Sequence, residues 1–125
     1  MFREILEALN YKACYAMFGH SQGGAAIFNA VHEDPTITEC MVMDRPVCGN
    51  IQRFRGFLMP TLLIYDIEDD GHPIWQGKLL FKELKNTEFY TYRHSQHPYW
   101  VPDHIWDKML GFFMRMYKKE RKFHF

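Results

Sequence analysis

Cysteine is scarce in this chain, and an excess of either charge is missing. Three cysteines cannot all pair with one another, and no C-x-x-C or zinc-type Cys/His spacing occurs. Neither a disulfide framework nor a structural metal is expected. Cys14 and Cys40 sit in apolar runs and Cys48 in a loop, so thiols in a reducing compartment are the simplest account, and a cytoplasmic location is expected. The 15 basic and 15 acidic residues cancel, which argues against broad binding to nucleic acid or to an anionic membrane. The basic tail Lys118–Lys122 and the pair Arg53 and Arg55 are therefore read as solvated. No apolar run approaches the roughly 18 residues of a membrane span; the stretch Met59–Tyr65 is broken by Pro60 and Thr61. Residues 1–15 carry acids and lack an apolar core, so no secretory signal is expected. Internal repeats and low-complexity tracts are also missing.

Large apolar side chains, by contrast, are plentiful. Aromatics make up 17% of the 125 residues, with 11 Phe and 7 Tyr, alongside 8 Met. The length suits one domain, 1–125, since domains commonly run about 100–200 residues. Phe2, Ile5, Leu6 and Leu9 form the stripe of an amphipathic helix. Ala13–Phe18, Ile37–Met43 and Thr61–Tyr65 are short, almost wholly apolar runs, as in strands buried on both faces of a parallel sheet. Glu88–Tyr92 is rich in strand formers. Helices are expected over Gln22–His32, Trp75–Leu84 and Asp103–Lys118. The last has Ile105, Trp106, Met109, Leu110, Phe113, Met116 and Tyr117 near one face. Asp44–Met59, Glu68–Pro73 and Arg93–Pro102 read as loops. Alternating helices and strands predict an α/β fold: a mostly parallel sheet of about four strands flanked by helices.

The segment Gly19-His20-Ser21-Gln22-Gly23 follows a strand and opens a helix, and it fits G-x-S-x-G. At about 7% each for Gly and Ser the pattern arises by chance in roughly 4% of chains this long, and its strand–turn–helix setting lowers that further. The chemistry accounts for each position. A nucleophilic Ser sits on a sharp, strained turn. Small residues two before and two after avoid clashes. The helix N-terminus aims backbone N–H groups at a developing oxyanion, with Gln22 N–H as one donor. Such a Ser needs a general base, and the base an orienting carboxylate, in loops beyond the carboxyl ends of strands. Asp69 is the best-placed acid, then Asp70. Asp44 is weaker, since local pairing with Arg45 is its simpler role. His97 is the chosen base and His94 the reserve. His20 is expected to line the pocket or pack locally; His32, His72, His104 and His124 are expected at the surface or its boundary.

These residues carry a resemblance to the C-terminal half of an α/β-hydrolase. REILEALNYKACYAMFGHSQGG resembles the helix, strand and nucleophile turn; MPTLLIYDIEDDGHP resembles the strand and turn bearing the acid; TEFYTYRHSQHPYW resembles the last strand and the His loop. RPVCG and QHPYW are similar to the small lidless group called α/β-hydrolase domain-containing protein fourteen. The resemblance implies Ser21 as nucleophile, Asp69 as acid, His97 as base and Gln22 as oxyanion donor. It implies hydrolysis of a small acyl ester or thioester, without metal or organic cofactor. Asp44–Met59 is too short for the helical lid of many relatives, which implies an open pocket. Asp66 stands where relatives often carry Gly, and Gln96 stands where Gly precedes the catalytic His. The family's N-terminal strands have no counterpart here, so the strand Ala13–Phe18 is expected at an open sheet edge. A protein partner or second copy would cover that edge. The alternative role is an inactive, truncated homologue serving as a structural or protein-binding subunit.

Overall fold

A computed structural model describes residues 2–47, 49–94 and 101–121, with side chains of the last helix through Tyr117. Helix α1 (Phe2–Ala8) leads to strand β1 (Cys14–His20), helix α2 (Gln22–Glu33) and strand β2 (Thr38–Asp44). A 3-10 turn (Ile51–Phe54) precedes β3 (Thr61–Asp66), α3 (Ile74–Glu83), β4 (Thr87–Tyr92) and α4 (Asp103–Arg121). The four strands are parallel and lie in chain order β1-β2-β3-β4. The expected α/β architecture is therefore the observed one. The 3-10 turn falls in a segment read as loop; Asn50 Oδ1 starts it by accepting from Gln52 N at 3.1 Å.

Strand alternation divides the core. Met41, Met43, Leu63 and Tyr65 face α1, α2 and α3, packing with Ile27, Phe28, Val31 and Leu80. Cys40, Val42, Leu62 and Ile64 face α4, packing with Ile105, Met109 and Phe112. Strands β2 and β3 are buried almost throughout, as parallel strands under helices on both faces should be.

Strand β1 lies at a sheet edge among the described residues, as the resemblance implies, and is not buried on both faces as its apolar run alone suggests. It pairs only with β2 among the described residues, and Phe18 is 46% exposed. An apolar run reports what a strand can bury, not what is present to cover it. The stripe on α4 is also narrower than expected. Ile105, Met109 and Phe112 are buried, whereas Trp106, Leu110 and Tyr117 look outward beside β1. Among the described residues no helix is long and apolar enough to cross a membrane.

Parallel strands put every carboxyl end on one side. In register, His20 lies beside Asp44, Asp44 beside Ile64, and Asp66 beside Tyr92. The β1–α2 turn, the segment after Asp44 and the loop after Asp66 thus meet along one edge.

Candidate active site

Ser21 is the single residue between β1 and α2, with φ 54° and ψ −116°. That is strained backbone for a residue with a Cβ, of order 1–3 kcal/mol, so its surroundings must hold it. Ser21 N donates to Asp44 O at 2.9 Å, and Ser21 O accepts from Gly24 N at 3.1 Å, Ala25 N at 3.3 Å and Val47 N at 3.1 Å. Gly19 is required by contact: a Cβ there would lie 2.7 Å from Gly24 N and closer still to the Gly23 carbonyl. Gly24 is packed against Pro46, whose Cβ would be 2.8 Å from an added one. A Cβ on Gly23 would meet nothing. The tight small residue after Ser21 is therefore Gly24 rather than Gly23. Gln22 opens α2, and first-turn N–H groups have no partner within the helix.

The histidine beside Ser21 is His72. Its Nε2 lies 3.0 Å from Ser21 Oγ, and its Nδ1 lies 3.1 Å from Asp69 Oδ2. An ionised carboxylate only accepts, so Nδ1 carries the proton and Nε2 turns its lone pair to the Ser21 hydroxyl. The sequence DDGH builds this locally. Asp69 Oδ1 accepts from Gly71 N at 2.9 Å and His72 N at 3.2 Å, an Asx turn that folds His72 back under its own carboxylate. Burial opposes ionisation of Asp69, but the His72 ring and the His72 and Gly71 N–H groups outweigh it and hold the carboxyl below its ordinary range. His72 is a boundary residue, as expected, with a side chain 27% exposed; what the sequence reading lacks is its bonding on both ring nitrogens, to Ser21 and Asp69.

A buried charge network underlies this row. Arg45 Nε and Nη2 fork onto the two oxygens of Asp44 at 3.1 and 3.2 Å, and Nη1 reaches Asp69 Oδ2 at 3.1 Å. Burial works against the Arg45 charge, but Asp44 and Asp69 more than compensate and push its pKa up. The local pairing of Asp44 with Arg45 is as expected from sequence. His20 Nδ1 lies 2.9 Å from Asp44 Oδ2, and its ring centroid is 6.5 Å from that of His72. His20 thus packs locally on the open side of the site.

Asp66, at the end of β3, is buried and accepts from Glu68 N and His94 N, both at 3.0 Å. It ties the β3 and β4 loops together. His94 Nδ1 stands 3.7 Å from Asp66 Oδ2. Asp70 is exposed. His97, with Gln96 and Trp100, lies outside the described residues, as does Cys48. Among the described residues no group of His, Cys, Asp and Glu is arranged to hold a metal ion. What the arrangement can do is move a proton from a hydroxyl to an imidazole backed by a carboxylate.

No family model and no curated protein matches the chain. Solved structures do. A predicted CIB-like hydrolase from Thermoplasma acidophilum superposes with a TM-score of 0.67 at 19% identity, covering 73% of this chain and 44% of that one. MGS-MChE2, an α/β hydrolase from a metagenome of Mar Chica lagoon sediments, gives 0.72 at 15% identity, over 97% of this chain and 68% of that one. A thermostable esterase gives 0.63 at 16% identity, over 92% and 34%. The chain thus has the fold of part of an α/β hydrolase. It spans less than half the length of the first and third of these proteins.

Proposed function

We propose that the chain carries the nucleophile half of a serine acyl hydrolase, acting on a small ester or thioester through an acyl-enzyme. The observation that carries this reading is the unbroken row Ser21 Oγ–His72–Asp69, at 3.0 and 3.1 Å, on a strained strand-to-helix turn. His72 Nε2 takes the Ser21 proton as Oγ bonds the acyl carbon, and it returns that proton to the leaving group. Asp69 fixes the imidazole tautomer and supports the imidazolium. Gln22 N–H, at the positive end of α2, receives the oxyanion. A second donor comes from outside this chain's described residues. Kinship with the lidless fourteen group, a cytoplasmic setting and correspondence to a hydrolase's C-terminal half belong to the same reading.

Sequence alone favours His97 as the base, and the test separates the two histidines. Labelling by a fluorophosphonate probe is measured as a rate on the wild type, Ser21→Ala, His72→Gln and His97→Gln. The expected result is no adduct for Ser21→Ala and a loss of about 100-fold or more for His72→Gln. A full loss in His97→Gln with His72→Gln unaffected transfers the role to His97. An adduct that survives Ser21→Ala sinks the reading.

A second reading, a non-catalytic binding subunit, draws on the outward apolar face of Phe18, Trp106, Leu110 and Tyr117. It predicts a folded chain that never labels.

A further inference from the structure

Three carboxylates end up beneath the site, and a single guanidinium lies among them. The Asp44 and Asp66 side chains are 3% and 2% exposed and Asp69 21%; Arg45 is 16% exposed. Buried acids without a countercharge are costly, so a cation here is expected on charge grounds alone. The geometry says more than that. The fork takes both oxygens of Asp44, and the remaining nitrogen reaches the Asp69 oxygen that also accepts from His72. The guanidinium also lies over the Tyr92 ring, 5.8 Å from its centroid. Its plane is held on several sides at once.

The backbone is built for this. Arg45 has φ 48°, an unfavourable conformation for a residue with a Cβ. Its N–H donates to Ile64 O at 2.9 Å, and two residues on, Val47 N holds Ser21 O. One short segment therefore grips the Ser21 backbone and the Asp69 carboxylate together. We propose that Arg45 is a positioning residue, whose fork on Asp44 locks the Asp69 carboxylate in the orientation that aims His72 at Ser21. This rests on the reading of Ser21, His72 and Asp69 as one set. Arg45 touches no reacting atom. It joins two carboxylate–histidine pairs, His72–Asp69 and His20–Asp44, into one rigid unit. Without it, Asp69 Oδ1 keeps the Gly71 and His72 amides, but Oδ2 loses its second donor and the carboxylate is free to rock.

The test uses the full chain with Arg45→Gln and Arg45→Lys, and two readouts. One is the rate of fluorophosphonate labelling at Ser21. The other is the downfield proton resonance of His72 Nδ1–H, assigned by its loss in His72→Gln, which needs no activity. Both variants are expected to label between tenfold and a hundredfold more slowly, as small misplacements of a catalytic group do. Both are expected to shift or broaden the resonance while the remaining amide spectrum stays dispersed. Lysine keeps the charge beside Asp44 but offers one point donor in place of a planar fork. Full recovery by Lys would mean that Arg45 only balances charge, and the proposal fails. Unchanged rate and resonance in Arg45→Gln, or a wild type without the resonance, also overturn it. If Arg45→Gln does not fold, Arg45→Lys alone decides. A wild type that never labels, with a resonance that still answers to Arg45, supports the positioning role and sinks the hydrolase reading instead.

Discussion

At the scale of single residues, three glycines around Ser21 differ in what they can tolerate. Gly19→Ala places a methyl against the Gly23 carbonyl and Gly24 N, backbone that has no room to move. It should cost about 2 kcal/mol or more of stability and abolish probe labelling, since overpacking typically costs 1–3 kcal/mol. Gly23→Ala meets open space inside a helix. It should be neutral or stabilise by about 0.5–1 kcal/mol. Chemical denaturation of the two variants checks the contrast, and equal losses would refute the geometry. Asp69 gives a pH prediction. Its folded pKa is depressed below 3.8, so its contribution is full above that value and lost as pH falls through the folded value. The stability advantage of the wild type over Asp69→Asn should therefore be constant near neutrality and vanish in acid. An advantage that grows on acidification would contradict the assignment.

The turn at Ser21 was legible because Gly, Ser and Gly sit at fixed offsets between a strand run and a helix run. Asp69 was legible as an acid in the loop after the clearest strand. His72 was not, because nothing in periodicity distinguishes it from a surface histidine. Its signal is the three-residue spacing from Asp69 in DDGH, which an Asx turn converts into contact. The Arg45 fork was legible only in its Asp44 half, since the Asp69 half spans 24 residues.

Among the elements, α3 shows how packing sets the position of His72. It begins at Ile74, two residues after His72, and Gly77 lies flat on the buried Tyr65 of β3. A Cβ at Gly77 would stand 2.6 Å from Tyr65 Cδ2. Alanine normally stabilises a helix interior relative to glycine by about 0.5–1 kcal/mol. Here the sign reverses: Gly77→Ala should destabilise by about 1–3 kcal/mol and slow labelling by displacing His72. A more stable variant in thermal unfolding would show that α3 is not pressed on β3 as described. Strand ends were read one or two residues short for a related reason. Asp44 reads as the start of a loop and Asp66 lies past the apolar run Thr61–Tyr65, yet both are buried strand residues. Arg45 and the Glu68 amide satisfy them locally, while His20 and the amide of His94 reach them from other segments. Apolar patterning finds the middle of a strand and not a charged end that tertiary contacts satisfy.

Across the whole molecule, the sheet is covered unevenly. The face under α2 and α3 is closed, while β1 and the outer side of α4 leave Phe18, Trp106, Leu110, Met114 and Tyr117 each more than 40% exposed. Continuous apolar surface of this kind favours association. Leu110→Lys with Met114→Lys should reduce dye binding and self-association in sedimentation without loss of helix content. Unchanged sedimentation would mean that this face is not where association occurs. The superposed hydrolases place the same fold within longer chains, this one spanning 44%, 68% and 34% of their lengths. The proposed row of Ser21, His72 and Asp69, however, lies within the chain, and that makes it directly testable.

The decisive measurement is intact-mass spectrometry after fluorophosphonate treatment of the wild type and Ser21→Ala. The account predicts one adduct on the wild type and none on the variant, because Ser21 Oγ has an imidazole nitrogen at 3.0 Å to take its proton. An unmodified wild type, or an adduct that persists without the Ser21 hydroxyl, would contradict it.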